Sequence, residues 1–463
     1  MSFWEHENLR AVTGGTWVAK PEPVPLAGAG IDSRTIKPGQ VFVALAGEHT
    51  DGRRFLGQAH ANGSPVAIVG PGTVEVPAGM GVIQVSNPRE ALVRLAAAYR
   101  AHRSRLKVIA VTGSCGKTTT VRLIDAVLKQ GLTGSASVRS FNNDIGVPLT
   151  LLNSGADDQY VVCEVGTSGP GEIERLARIC DPDIAVITTI GRAHLEGLGS
   201  VEAVACEKAQ LVVNMRETGL AVLPMDAPLL EPFVRGVPDD RLIRIGTDAG
   251  SDVRVGEVES DLEGTRFCIN GRERFRVGLI GAHNAMNAAF AVVVGRRLGV
   301  DGAAIEAGLL TAVGPEMRLE TSLVGPVTVL NDAYNANPES MLAALGTLAG
   351  LPGGRRVAVL GDMLELGSAS VAEHEAIGAW LGYEKPVAVA VGVGARMGAI
   401  STGLTHRFES ADEKAVGRIV SLIKPGDIVL VKGSRAMALE RVAEGIVVRF
   451  GSKPEMEAQR SSR

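Results

Sequence analysis

The apolar positions of this chain fall into short β-branched runs separated by longer stretches of helical periodicity. Up to about residue 100 the runs cover residues 41–45 and 66–69, with one helix expected before the second run and another over residues 89–102. A charged segment, residues 101–107, then leads into the apolar run 108–112. From there to about Glu316, the runs 160–165, 184–188 and 220–223 alternate with helical stretches. Such alternation predicts a mainly parallel sheet with helices on both faces. A third set begins near Met317, with runs at 327–330, 356–360, 387–391 and 427–431, recurring roughly every 30 to 40 residues as βα units do. A compact doubly wound unit is expected there. The tail 451–463 is polar and is expected to fray.

Length agrees with this division. At 463 residues the chain exceeds one ordinary core, and units of roughly 100–200 residues make three the expectation, placed at 1–103, 104–316 and 317–463. The 57 glycines, 45% hydrophobic content and 4% aromatics suit a turn-rich α/β enzyme built on Val, Ala and Leu, not a fibrous or disordered chain. A net charge of −4 offers no general attraction for nucleic acid or an anionic membrane. No stretch approaches the roughly 20 apolar residues that span a bilayer, and Met1-Ser2-Phe3-Trp4-Glu5-His6-Glu7 lacks a signal-peptide layout. A cytoplasmic location follows as an expectation. Five cysteines without paired metal-ligand spacing read as reduced thiols.

Candidate chemistry centres on Thr112-Gly113-Ser114-Cys115-Gly116-Lys117-Thr118-Thr119. A strand, a glycine-turned loop and a helix in that order bring backbone N–H groups and a positive helix end to phosphate oxygens. Lys117 would reach the β/γ-phosphates and Thr118 would ligate Mg²⁺. The loop is the shortened form of the pattern, with Val111 where a Gly is usual. An ordinary strand-to-helix turn is the bland alternative. Glu164 ends a buried run and His194 follows Thr188-Thr189-Ile190-Gly191, so both could complete Mg²⁺ coordination; alone, His194 also reads as a structural histidine. Lys208, beside Glu207 on a helix expected over 200–217, reads locally as a solvated face. Asn284 and Asn287 share a helix face and amides can pair both edges of adenine, unless one is a cap and the other is packed. The run Asn331-Asp332-Ala333-Tyr334-Asn335-Ala336-Asn337-Pro338-Glu339-Ser340 leaves a strand and enters a helix, as a binding loop or a plain Asx-rich turn with an N-cap.

Together with Leu360-Gly361-Asp362-Met363-Leu364-Glu365-Leu366-Gly367 and Val431-Lys432-Gly433-Ser434-Arg435, these motifs resemble the Mur ligases over nearly the whole chain. These are ATP-dependent amide-forming enzymes of cell-wall synthesis, and the resemblance is to the branch that adds D-alanyl-D-alanine. It implies a three-domain α/β protein: an N-terminal uridine-nucleotide domain, a central mainly parallel-sheet P-loop ATPase domain and a C-terminal Rossmann-like domain. It implies UDP-MurNAc-tripeptide and D-Ala-D-Ala as substrates, ATP and two Mg²⁺ ions, and a monomer with no nucleic-acid partner and no stable membrane insertion.

By position, the resemblance makes Lys117 the phosphate lysine within Gly113, Ser114, Cys115, Gly116, Thr118 and Thr119, with Cys115 supplying only its N–H. Thr118 and Glu164 would hold one Mg²⁺. His194 would hold a second with Lys208, carbamylated by CO₂ into an oxygen-donating anion. Asn284 and Asn287 fall on the adenine side, Asp332 on the ribose, and Arg318 on the γ-phosphate from the hinge of the third unit. Ser33 and Arg34, with the loop 47–51, resemble the uridine site. Asn142, Asn143, Asp144, Thr167 and Ser168 resemble sugar and peptide contacts, although some relatives carry Ala-Asn-His where Gly166-Thr167-Ser168 stands here. Asn335, Asn337 and the loop 361–367 are expected to border the dipeptide pocket. The rivals are a sibling adding a diamino acid, a folylpolyglutamate synthetase, and a nucleotide-binding regulator without ligase activity. The diaminopimelate-adding sibling carries Asp-Asn-Pro-Arg, absent here, and a regulator would be expected to lose Glu164, His194 or Lys208.

Overall fold

The computed structural model describes residues 3–47, 50–138, 141–384 and 387–451. Three sheets follow one another along the chain. The first has the order Thr16–Ala19, Gly81–Gln84, Val66–Val69, Val41–Val43, Ala29–Gly30, parallel except for its first pair. The second has nine strands, in the order Glu273–Val277, Gly264–Ile269, Val253–Asp261, Leu242–Gly246, Leu220–Pro224, Ile184–Ile187, Lys107–Thr112, Tyr160–Glu164, Gly134–Ala136. Its first two pairs are antiparallel and the rest are parallel. The third runs Glu320–Val324, Val327–Asp332, Ile428–Lys432, Arg356–Gly361, Val389–Val393, His406–Phe408, parallel after an antiparallel edge pair. The expected three-unit α/β architecture is present. The antiparallel extension formed by Val253–Asp261, Gly264–Ile269 and Glu273–Val277 is an addition to it, as are the edge strands Glu320–Val324 and His406–Phe408.

Register decides where the chemistry lies. Val111 pairs with Glu164 and Thr112 with Ile187, so the phosphate loop, Glu164 and the segment after Ile187 leave the second sheet at one edge. In the third sheet Asp332 pairs with Lys432 at the carboxyl ends of their strands. Ligands of open α/β sheets bind outside that edge.

The cores differ in how they join. One continuous apolar cluster runs from Phe3 through the helix Pro88–His102 to Leu242, so the first two sheets share buried packing. The faces of the third sheet hold two clusters of their own, to which the residues before 317 add only Ile280 and the partly buried Leu195 among the described residues. The third unit is therefore the separable one.

Arg100 ties the shared core together. Its guanidinium, 1% exposed, donates to the carbonyls of Cys180 (2.9 Å), Asp181 (2.8 Å) and Leu106 (2.9 Å) and to Asp183 Oδ2 (2.7 Å). Removing one partner of a buried pair leaves the others unsatisfied, at a cost of about 3–5 kcal/mol. Arg100→Met is expected to lose stability on that scale in urea denaturation followed by circular dichroism, and a loss under about 1 kcal/mol would contradict this role.

Candidate active site

The phosphate loop is bound by the strand-end segment opposite, to which its amides donate. Gly113 adopts φ 151°, where a Cβ would lie 1.9 Å from Thr188 Oγ1, and Gly116 adopts φ 81°, where one would lie 2.5 Å from Asn287 Oδ1; neither position has room for a side chain. Ser114 N donates to the Thr189 carbonyl at 2.9 Å, and Gly191 N donates to Ser114 Oγ at 2.9 Å. Cys115 differs from its expected role. Its N–H donates to Thr189 Oγ1 (2.8 Å), and its thiol donates to Asn337 Oδ1 (3.1 Å) in the third unit. Lys117 begins the helix Lys117–Leu128 and folds back onto the Gly113 carbonyl at 2.7 Å. Burial pushes its amine below the ordinary lysine range, Arg318 adds to the effect and Glu164 opposes it.

Among the described residues, the buried polar atoms without hydrogen-bond partners around the loop include Thr118 Oγ1, Glu164 Oε2 and Lys208 Nζ, with Thr112 Oγ1 at the end of the strand before it. Glu164 keeps Oε2 open because its Oε1 accepts from Asn142 Nδ2 at 2.9 Å. The solvated-face reading of Lys208 is overturned, since it is 0% exposed within the helix Val201–Val213. Burial, reinforced by the charge of Lys117, pushes its amine well below the ordinary range. Neighbouring Glu207 has a structural task, accepting from Gly171 N (2.8 Å) and Ile173 N (2.7 Å) at the start of the helix Glu172–Cys180. His194, at φ 57°, places Nδ1 2.6 Å from Glu365 Oε2, itself carried at φ 62° by the third unit. Two unsatisfied oxygens at a phosphate loop suit a hard cation. Among the described residues no three His, Cys, Asp or Glu gather as a metal-binding group.

A cleft of about 830 Å³ opens above, with the loop on one wall and the third unit on the other. Arg318 lies in it between Met317 (φ 54°) and Leu319 (φ 49°), its guanidinium 4.4 Å from the centre of the Tyr334 ring. Asp332 accepts from Leu319 N (3.1 Å) and from Lys432 Nζ (2.7 Å), and the same amine donates to the Asn335 carbonyl (3.0 Å). Half-buried His283 lies near Asp332 and Lys432, and desolvation lowers its pKa. Lys432 and Glu365 lie inside motifs quoted above, and His283 directly precedes Asn284, but their own side chains carry no local signal of a site.

Several side chains have other tasks than expected. Asn287 Nδ2 donates to Asn284 Oδ1 (2.9 Å), Asn284 Nδ2 to the Ile280 carbonyl (2.8 Å), and Asn287 Oδ1 accepts from Thr120 (3.3 Å). The pair shares a helix face but does not present both amide edges to a base; it buttresses Gly116. Asn337 is the N-cap of the helix Pro338–Gly350, accepting from Ser340 N (2.9 Å), and it donates to the Ser114 carbonyl (3.3 Å). It therefore adjoins the phosphate loop, while Asn335 accepts from Ala336 N (2.9 Å).

None of Ser33, Arg34, Asn142, Asn143, Asp144, Thr167 or Ser168 lines this cleft. Ser33 donates to Gln58 (2.7 Å), and exposed Arg34 grips Asp32 (2.7 Å), holding that carboxyl down at about 2. Asn143 accepts from Gly146 N (2.9 Å), and Asp144 pairs with Arg89 (2.5 Å). Thr167 donates to the Gly169 carbonyl (2.7 Å), and Ser168 N donates to Glu172 (2.7 Å). Glu48 and His49 of the 47–51 loop, and the tail from residue 452, lie outside the described residues.

Three family models match in succession: "Mur ligase family, catalytic domain" over residues 25–100, "Mur ligase middle domain" over 111–295 and "Mur ligase, glutamate ligase domain" over 317–435. The chain belongs to the Mur ligase family. A relative from Bacillus subtilis (strain 168), named UDP-N-acetylmuramoyl-tripeptide--D-alanyl-D-alanine ligase, is 34% identical over 454 residues, covering 95% of this chain and 98% of that protein. The MurF crystal structure from Acinetobacter baumannii superposes with a TM-score of 0.85 at 32% identity, covering 96% of this chain and 99% of that one. The MurF ligase of Thermotoga maritima, solved in complex with ADP, superposes with a TM-score of 0.78 at 28% identity, covering 92% and 98%. Among the described residues of this Mur ligase, no helix is long and apolar enough to cross a membrane.

Lys208 yields a stability test. A lysine whose pKa is depressed on folding destabilises the fold below its unfolded value, so the unmodified protein gains stability as pH rises toward the ordinary lysine range. Lys208→Met removes the unpartnered amine and is expected to be more stable by about 1–3 kcal/mol at pH 7 in CO₂-free buffer, with the gain shrinking as pH rises. Urea titrations at pH 7 and 9 check this; a less stable variant at pH 7 would refute it.

Proposed function

We propose that this chain is an ATP-dependent amide ligase that joins D-alanyl-D-alanine to UDP-N-acetylmuramoyl-tripeptide, giving UDP-MurNAc-pentapeptide, ADP and phosphate for peptidoglycan synthesis. The observation that carries the reading is a Mur-type phosphate loop facing a third unit like that of D-alanyl-D-alanine-adding relatives along nearly the whole chain. In this reading residues 1–103 take the uridine nucleotide, 104–316 take ATP and 317–463 take the dipeptide.

A carboxylate acylates poorly until its oxygen becomes a leaving group. The tripeptide carboxylate oxygen attacks the γ-phosphorus, the bond to the ADP oxygen breaks, and an acyl phosphate forms. The dipeptide amine attacks the acyl carbon, phosphate departs with its electron pair, and the amine loses a proton. Lys117 exchanges the Gly113 carbonyl for phosphate oxygens, and Arg318 adds positive charge from the hinge side, offsetting charge that builds in the transition state. Closure of the third unit keeps water from the acyl phosphate.

Two Mg²⁺ ions belong to this reading, one held by Thr118 and Glu164 and one by His194 and carbamylated Lys208; when bound, they neutralise phosphate charge. The open atoms Thr118 Oγ1, Glu164 Oε2 and Lys208 Nζ support it. Carbamylation needs a neutral amine, which the depressed pKa of Lys208 provides. The neutral amine would form the new N–C bond to CO₂ and lose one proton, so that an uncharged amine becomes an anion with oxygen donors. The third residue of the tripeptide stays open between diaminopimelate and lysine, so both acceptors belong in the assay.

Phosphate release with ATP, Mg²⁺, each UDP-MurNAc-tripeptide and D-Ala-D-Ala tests the activity; release independent of the dipeptide would refute it. Lys117→Ala is expected to abolish turnover while calorimetric binding of the UDP-tripeptide stays near that of the wild type, and normal turnover would remove Lys117 from this role. Lys208→Ala is expected to be nearly inactive and partly rescued by short-chain carboxylates. Wild-type rates without rescue would end the carbamate assignment.

A further inference from the structure

We propose that Arg192 is a positioning residue, a latch that aligns the third unit over the phosphate loop. The inference rests on the ligase reading above and adds a role for a side chain that touches no reacting group. Arg192 stands between Gly191, which binds Ser114 through both N–H and carbonyl, and Ala193, which precedes His194. From there it spans to two helices of the third unit. Its Nε and backbone N both donate to Glu339 Oε1, at 2.8 and 3.1 Å, and its Nη1 donates to Glu373 Oε2 at 2.9 Å.

The fork is specific. Glu339 is the second residue of the helix capped by Asn337, and that cap reaches Ser114 and Cys115. A Cβ on Gly191 would sit 2.7 Å from Glu339 Cδ, so the carboxylate presses directly on the backbone that holds the loop. Glu373 lies on the next helix, Ser370–Glu384, so one guanidinium fixes two elements of the third sheet's unit at once. The exposures, 37% for Arg192, 33% for Glu339 and 13% for Glu373, mark a seam that water can enter. Such pairs add little to folding stability. Their geometric effect is larger, because the apolar cores contribute little across this boundary and polar contacts set the alignment.

Small-angle scattering and steady-state kinetics on the full chain test the latch. Wild type, Arg192→Ala, Glu373→Gln and the double variant are each measured with a non-hydrolysable ATP analogue and UDP-MurNAc-tripeptide for scattering, and with all substrates for turnover. Arg192→Ala is expected to enlarge the radius of gyration, to lower kcat about tenfold and to raise the KM for D-Ala-D-Ala more than that for the UDP-tripeptide. Thermal unfolding should change little. The losses in Arg192→Ala and Glu373→Gln should not multiply in the double variant. An unchanged radius of gyration, an unchanged kcat or losses that multiply would each overturn the proposal. A failure of the ligase reading would look different, since wild type itself would then show no dipeptide-dependent turnover.

Discussion

The cleft is divided between two bodies that meet largely through polar side chains. The phosphate loop, Glu164, His194 and Lys208 belong to a sheet that shares its core with the first unit, whereas Arg318, Asp332, Glu365 and Lys432 belong to a unit with separate apolar clusters. The cations that line the cleft are split between the halves, with Lys117 on one and Arg318 and Lys432 on the other. Contacts such as Asn337 with Ser114 and Arg192 with Glu339 are weak enough to break and directional enough to fix one arrangement when made. In the proposed mechanism this arrangement ties chemistry to docking of the third unit, which would shield an acyl phosphate from water.

Beneath the loop the protein accepts a local loss of stability. A lysine amine, a threonine hydroxyl and one carboxylate oxygen are buried without partners, an arrangement that folding alone disfavours. Groups of this kind persist where a ligand completes them, and local inconsistency of this type marks functional sites. Burial also shifts the Lys208 amine toward its neutral form, so the same desolvation that costs stability favours the form that the proposed carbamylation requires.

Periodicity made the sheets and their order along the chain legible, because buried parallel strands such as Lys107–Thr112 and Arg356–Gly361 are nearly continuous apolar runs. The strand Val253–Asp261 escaped because its residues are mostly half-exposed or polar. Lys208 read as solvated because nothing within its own helix reports the burial imposed by other elements. Asn284 and Asn287 shared a face as expected, yet pairing between the amides depends on side-chain rotation that spacing cannot convey. The fork from Arg192 to Glu339 and Glu373 joins residues 147 and 181 positions apart, a relation visible only once the third unit is docked.

The most direct measurement of the account follows oxygen. With the tripeptide's terminal carboxylate labelled with ¹⁸O, attack on ATP through an acyl phosphate carries one labelled oxygen into the released phosphate, to be read by the isotope shift of its ³¹P signal. The account predicts one labelled oxygen in the phosphate formed for each peptide bond made. Phosphate released without label while the pentapeptide accumulates would contradict it.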